Sequence, residues 1–167
     1  MSFLENVKAI TTADDLKEVM LPSGQYIFSC IKVDPDVQLK KELTWSGKTY
    51  PEGENIILVT LKPKEPVSVD DEELDECPDW QDQIQTIRIF SDTFKRDFVP
   101  LVEHMGINPE EFLPLDASEQ GQQNFTAMCK AMLKKEVLVD IERKWYQPKD
   151  GSAERQVVNI KKIGTVE

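Results

Sequence analysis

Arg143, Lys144, Trp145, Tyr146 and Lys149, followed by Arg155, Lys161 and Lys162, set cations beside flat aromatic rings in two short stretches around Asp150-Gly151. Rings of this kind stack on exposed bases, while ammonium and guanidinium groups neutralise phosphates, so the combination suits an unstacked nucleotide strand. A second group of the same make-up lies upstream: Lys40, Lys41, Trp45, Lys48 and Tyr50. Groups for other chemistry are scarce. The one histidine, His104, precedes Met105 and Gly106 and reads as a helix-terminal cation or a partly buried side chain rather than a base. The seven glycines form no phosphate-cradling loop, and no Ser–His–acid or Cys–His set can be argued. The acids between positions 70 and 82 lack the DxDxDG spacing of a calcium loop. These observations lead to an expectation of binding without catalysis, with no cofactor and no metal.

The elements that must carry these residues belong to a chain of 167 residues, most simply one domain with its own core. A hydrophobic share of 40% and a charged share of 31% fit a soluble folded protein. No apolar run approaches the roughly 20 residues that span a bilayer. Met1-Ser2-Phe3-Leu4-Glu5 has no secretory character, and Cys30, Cys77 and Cys129 are widely spaced with no CxxC pair. A reducing, cytoplasmic setting is expected.

The net charge of −11 opposes a polyanionic partner until its distribution is considered. Residues 65–83 hold nine acids and no Lys or Arg; without them 20 bases stand against 22 acids. Lys134–Ile163 carries eight bases and five acids. The acidic segment reads first as a solvated loop, and alternatively as an intramolecular screen or a docking site for a basic partner.

Ser2–Glu5 and Thr12–Asp15 resemble capped helix starts, so short N-terminal helical turns are expected over residues 1–20. Gln25–Val33 is rich in β-branched and aromatic residues and reads as a first strand. Residues 34–53 read as a long polar loop or hairpin extension. Asn55–Leu61 is a second strand, closed by Pro63 and Pro66. Ile84–Phe90 is a third, with Thr86, Arg88 and Phe90 on one parity and Ile87 and Ile89 on the other.

A helical insert over 91–134 comes next. Ser91 or Asp92 caps a first helix that Pro100 should kink or delay, and a second runs from about Ser118 to Lys134. Phe94, Phe98, Phe125, Met105, Met128 and Met132 are assigned to the core by their helical spacing. Val137–Tyr146 and Arg155–Ile163 close the chain as strands.

Strand, strand, strand, helical insert, strand, strand is the connectivity of the OB-fold, a five-stranded, partly open barrel within a mainly β (α+β) class. The barrel domain is expected over 21–164. That fold binds oligonucleotides on its second and third strands and with its first and last inter-strand loops. Trp45 and Tyr50 fall in the first of those loops, and Trp145, Tyr146 and Lys149 at the last. Arg88 and Phe90 then become candidates for the groove floor. Lys40, Lys41, Lys48, Arg143, Lys144, Arg155, Lys161 and Lys162 become phosphate contacts.

Several stretches together resemble phage-encoded single-stranded DNA-binding proteins. They are Leu21-Pro22-Ser23-Gly24-Gln25-Tyr26, Phe98–Gly106, Lys135–Ile141, the aromatic-basic hairpin, and Val158-Asn159-Ile160-Lys161-Lys162-Ile163. The resemblance covers about Leu21–Gly164 and implies coating of displaced single-stranded DNA during phage replication or recombination, in the host cytoplasm. Such proteins often end in a flexible acidic tail. This chain ends Gly164-Thr165-Val166-Glu167 and keeps its acids inside, where residues 65–83 are the candidate contact for replication or recombination proteins.

Two other readings compete. A tryptophan near a strand end is more often packed than offered to a ligand, and adjacent Trp145 and Tyr146 must face opposite ways on a regular strand. In a different class of function, residues 65–83 imitate a phosphate backbone, making the chain an acidic adaptor or a DNA-mimic inhibitor.

Overall fold

Tyr26, Phe28 and Cys30 alternate with Gln25, Ile27 and Ser29, and the chain buries the first set by pairing this segment on both sides. The structure is a computed structural model describing residues 2–7, 9, 11, 19–151 and 155–167. Its strands are β1 (Gly24–Gln38), β2 (Leu43–Trp45), β3 (Lys48–Tyr50), β4 (Asn55–Val69), β5 (Gln85–Phe90), β6 (Glu136–Tyr146) and β7 (Arg155–Gly164). Five form one sheet in the order β5-β4-β1-β6-β7, and β2 and β3 form a separate hairpin. Every neighbouring pair is antiparallel.

With the small hairpin set aside, the sheet order is third-second-first-fourth-fifth, the OB-like arrangement. β5 and β7 both run parallel to β1 and are the two edges, with no ladder between them among the described residues. Both edges nevertheless feed one core. Ile89 of β5 is buried with Tyr26, Phe28, Val59, Leu61, Val137 and Val139, while Ile87 of β5 and Val158, Ile160 and Ile163 of β7 lie against the same cluster. The sheet therefore curls around its interior and stops short of closing. The architecture is mainly β, with a five-stranded antiparallel sheet and a few helices.

The helical insert seals the interior in pieces. Ser91–Thr93 and Phe94–Phe98 form tight and wide turns before α2 (Val99–His104), which carries Pro100 in its first turn. Proline there removes an N–H that has no helical partner, so Pro100 delays the regular helix rather than kinking it. Phe98, Leu101, Val102 and Met105 are buried. α3 (Glu119–Met132) is capped by Ser118, whose side chain accepts from the Gly121 N–H at 3.0 Å, and it buries Met128, Cys129 and Met132. Phe94 and Phe125 are partly buried against the same core.

Several expectations need correction. β1 continues past Val33 to Gln38, and β4 continues through Pro63 and Pro66 to Val69. β5 pairs with β4 only as far as Leu61, so on that side the prolines face no ladder. On the other side they meet Phe28 and Tyr26 at register shifts, where a missing N–H is tolerated. Of the two readings of 34–53, the hairpin extension holds, since the stretch is mostly strand end and hairpin. Of the two N-terminal helix starts, the first gives only a 3-10 turn, Phe3–Asn6, with no side-chain cap. The second, at Thr12, lies outside the described residues.

The acidic segment is not a plain loop. Asp70 accepts from the Glu73 N–H at 3.0 Å and caps α1 (Asp71–Asp75), whose first turn is acidic, as the helix dipole favours. Buried Cys77 and half-buried Trp80 pin the stretch between α1 and β5. The Cys77 thiol donates to the Val19 carbonyl at 3.4 Å, and Trp80 lies 6.3 Å from Tyr26, centroid to centroid.

Gly121 is required by a close approach: a Cβ there would overlap the backbone and carboxylate of Asp116, which itself accepts from Ser118. Gly121→Ala is expected to destabilise the fold by about 1–3 kcal/mol through overpacking. Equilibrium denaturation measures this; an unchanged midpoint would mean that the approach relaxes freely.

Candidate nucleic-acid interface

The unclosed seam between β5 and β7 is a cleft of about 420 Å³. Gln85, Thr86, Ile87 and Arg88 line one wall, Val158, Asn159, Ile160 and Ile163 the other, and Trp45 and Asp97 complete it. Its size falls in the roughly 300–1,000 Å³ range of ligand clefts.

Trp45 reaches the cleft on the β2–β3 hairpin. Ser46 and Gly47 have φ of 52° and 77°, the doubly left-handed loop that matches strand twist, which leaves Trp45 opposite Lys48 and Leu43 opposite Tyr50. These four residues share one side of the hairpin. Tyr50 is only 5% exposed, and its ring stacks on Phe90 at 3.8 Å and 9°. Its hydroxyl donates to Asp92 at 3.1 Å, and the Lys48 ammonium pairs with the same carboxylate. Ile56 is buried beside them, with Val37, Leu39, Leu43 and Leu58 around it. Tyr50 and Phe90, expected on the binding surface, are instead the clamp that docks the hairpin. Trp45, across the hairpin from Lys48, stays 55% exposed.

The Lys48 and Tyr50 hydrogen bonds hold the Asp92 carboxyl below its usual range, with Lys48 contributing most, and the same contact raises Lys48. Partial desolvation, followed by the bond to Asp92, raises Tyr50.

The second aromatic group caps the other end of the seam. Pairing of β6 with β1 ends at Gly24 opposite Ile141, so residues 142–146 and their β7 partners project beyond the sheet's centre. Trp145 continues the face of Val139 and Ile141 with nothing to cover it and is 58% exposed. Tyr146, on the opposite face, is 42% exposed, with the Arg155 guanidinium 5.4 Å from its ring centroid. Trp145 pairs with Gln156, and the next same-face residue of β7, Val158, already lines the cleft. The hairpin and the cleft are therefore one continuous surface along β7.

The cations divide. Arg88 lines the cleft and has no ion-pair partner among the described residues. Lys40, Lys41, Lys149 and Lys162 are exposed. Lys144 and Lys161 both approach Glu142, at 3.8 and 3.4 Å, which offsets part of their charge. Arg143 departs from expectation. Its side chain is 16% exposed, donates to the Met20 carbonyl at 3.0 Å and lies 3.9 Å from Glu73. It ties the segment before β1 and the acidic helix to β6, and is committed to that task rather than free for phosphate.

Asp92, Asp97, Gln85 and Asn159 were not singled out in the sequence as site residues. Asp92 was legible only as a helix cap; the other three needed the two edge strands to be placed side by side. Burial raises the thiols of Cys30 and Cys77 to about 11 and that of Cys129 to about 12, so all three stay protonated near neutrality. Among the described residues no group of His, Cys, Asp and Glu is arranged to hold a metal ion. Among the described residues no helix is long and apolar enough to cross a membrane.

No protein-family model matches the chain, and no curated protein matches it. Among solved structures, yeast RPA bound to ssDNA is similar over 98% of this chain and 85% of that one, at 11% identity and a TM-score of 0.35. A likeness that loose transfers neither fold nor function, and the architecture stands on the strand order itself.

If Asp92 clamps the hairpin, Asp92→Ala should speed amide exchange in β2 and β3 while leaving β1 and β6 protected. The depressed pKa adds a sign. Stabilisation is present above the unfolded carboxylate value near 3.9 and is lost as pH falls through the lower folded value. After correction for intrinsic rates, exchange in the hairpin should rise in acid for the wild type, with this extra dependence absent from the variant.

Proposed function

We propose that the chain binds single-stranded DNA, largely without regard to sequence, and does no chemistry on it. The observation that carries the reading is the run of exposed rings and cations along one open seam, from Trp145 through the β7 wall to Arg88 and Trp45, with Tyr146 and Arg155 on the other face of the same hairpin. A paired duplex hides its base faces, whereas an unpaired strand offers them to indole and phenol rings, with stacking contributing about 1–3 kcal/mol per base. Lys40, Lys41, Lys149 and Lys162, with Lys144, Lys161 and Lys48 partly compensated, lie within the segments flanking this seam and meet phosphates.

The OB-like strand order supports the reading by analogy, since that fold uses its second and third strands and these two loops for oligonucleotides. The resemblance of the sequence to phage single-stranded DNA-binding proteins supports a finer version: coating of displaced strands in phage replication or recombination, in the host cytoplasm. The acidic segment, folded against Arg143 and Tyr26, is then assigned to shielding the base of the hairpin, and its outer carboxylates to contacts with replication or recombination proteins.

Tryptophan fluorescence should be quenched by oligo-dT in dilute buffer and restored by added salt. The log–log salt slope should be about −0.7 per phosphate neutralised. Trp145→Ala should weaken binding by roughly 5- to 150-fold. A flat titration at low salt, or full affinity in the variant, would contradict the assignment.

A further inference from the structure

A groove built only to follow phosphates has no use for a carboxylate, yet Asp97 lines the β5–β7 cleft together with Arg88. Asp97 is held by its neighbour Arg96, which donates to both carboxylate oxygens at 3.0 and 3.2 Å. Two oxygens offer about four acceptor sites, so capacity remains. Paired with Arg96, Asp97 brings the cleft hydrogen-bond acceptors rather than a further cation. The walls suit the neutral part of a nucleotide: Ile87, Ile160 and the Trp45 indole offer apolar surface to the face of a planar ring.

A ligand in this cleft must satisfy a donor fork and a carboxylate at once. Arg88 brings a fixed fork of N–H donors and has no ion pair among the described residues; an arginine fork matches two adjacent acceptors on one edge. Asp97 accepts from N–H groups. Among the four bases only guanine has both an edge with two acceptors, O6 and N7, and an edge with two donors, N1–H and the N2 amine. Adenine pairs an acceptor with a donor at the first edge and has no second donor edge. The amides of Gln85 and Asn159 can serve either role at the rim.

We propose that this cleft takes one unstacked guanine base, giving an otherwise sequence-tolerant strand a preferred register. The inference rests on the proposed binding of single-stranded DNA, and the test separates the two. Anisotropy titrations at low salt would compare an all-thymine oligonucleotide with the same oligomer carrying one central guanine, adenine, 7-deazaguanine or hypoxanthine. The guanine oligomer should bind roughly tenfold more tightly than the all-thymine one. The advantage should shrink with 7-deazaguanine, which lacks N7, and with hypoxanthine, which lacks the N2 amine, and adenine should confer none. In Arg88→Lys, a surface change whose melting curve confirms folding, the ratio of guanine to all-thymine affinity should fall to near one. Equal binding of all oligomers, or a guanine advantage that survives Arg88→Lys, overturns the guanine pocket and leaves strand binding standing. Failure of every oligomer to bind overturns both.

Discussion

β1 is hydrogen-bonded on both sides, to β4 along most of its length and to β6 over Gly24–Ser29, and that double pairing sets everything else. With the first half of β1 paired on both sides, the sheet grows outward there, to β5 on one side and β7 on the other. Curling around a shared core brings these edges towards each other, and the helical insert, tied from the end of β5 to the His104–Thr165 contact of 2.8 Å beyond β7, covers one end of the interior. The result is two like-directed edges with outward backbone groups and a cleft between them. Exposed edges invite aggregation. Here Lys161, Lys162, Arg155 and Arg88 stand on or beside them, which discourages pairing with another strand while leaving the seam open to a polyanion.

The charge pattern reconciles an acidic chain with the anionic ligand proposed for it. Repulsion between exposed charges is screened beyond about 10 Å at 0.1 M salt. The single strand proposed here would therefore respond to the local field of the seam more than to the net charge. The acids of 70–76 are gathered on a short capped helix whose inner contact is Arg143. That contact spends one cation, but it fixes the root of the hairpin on which Trp145 and Tyr146 stand.

Much of the framework was legible because alternation is local. Val137, Val139 and Ile141 announce a buried face without help from the rest of the chain, and Ser118 announces the start of α3. The prolines misled at β4 because their tolerance depends on whether a second ladder is present, which no local window contains. Trp45 and Tyr50 illustrate the limit best. They look alike as aromatic-basic loop residues, yet one lines the cleft and the other is sealed against Phe90. The difference comes from Asp92, a residue whose partner lies across the fold. Arg143 failed as a phosphate contact for the same kind of reason: its partners, Met20 and Glu73, are remote in sequence.

Binding as proposed lays a single strand along the seam and across both indole-bearing hairpins. An amide and indole chemical-shift map with oligo-dT in dilute buffer tests it most directly. The largest changes are expected at Thr86–Arg88, at Gln156–Ile160, and at the indole N–H groups of Trp45 and Trp145, with the Trp80 indole unmoved under the acidic segment. Shifts concentrated on α3 or on residues 70–82, with the seam silent, would contradict it.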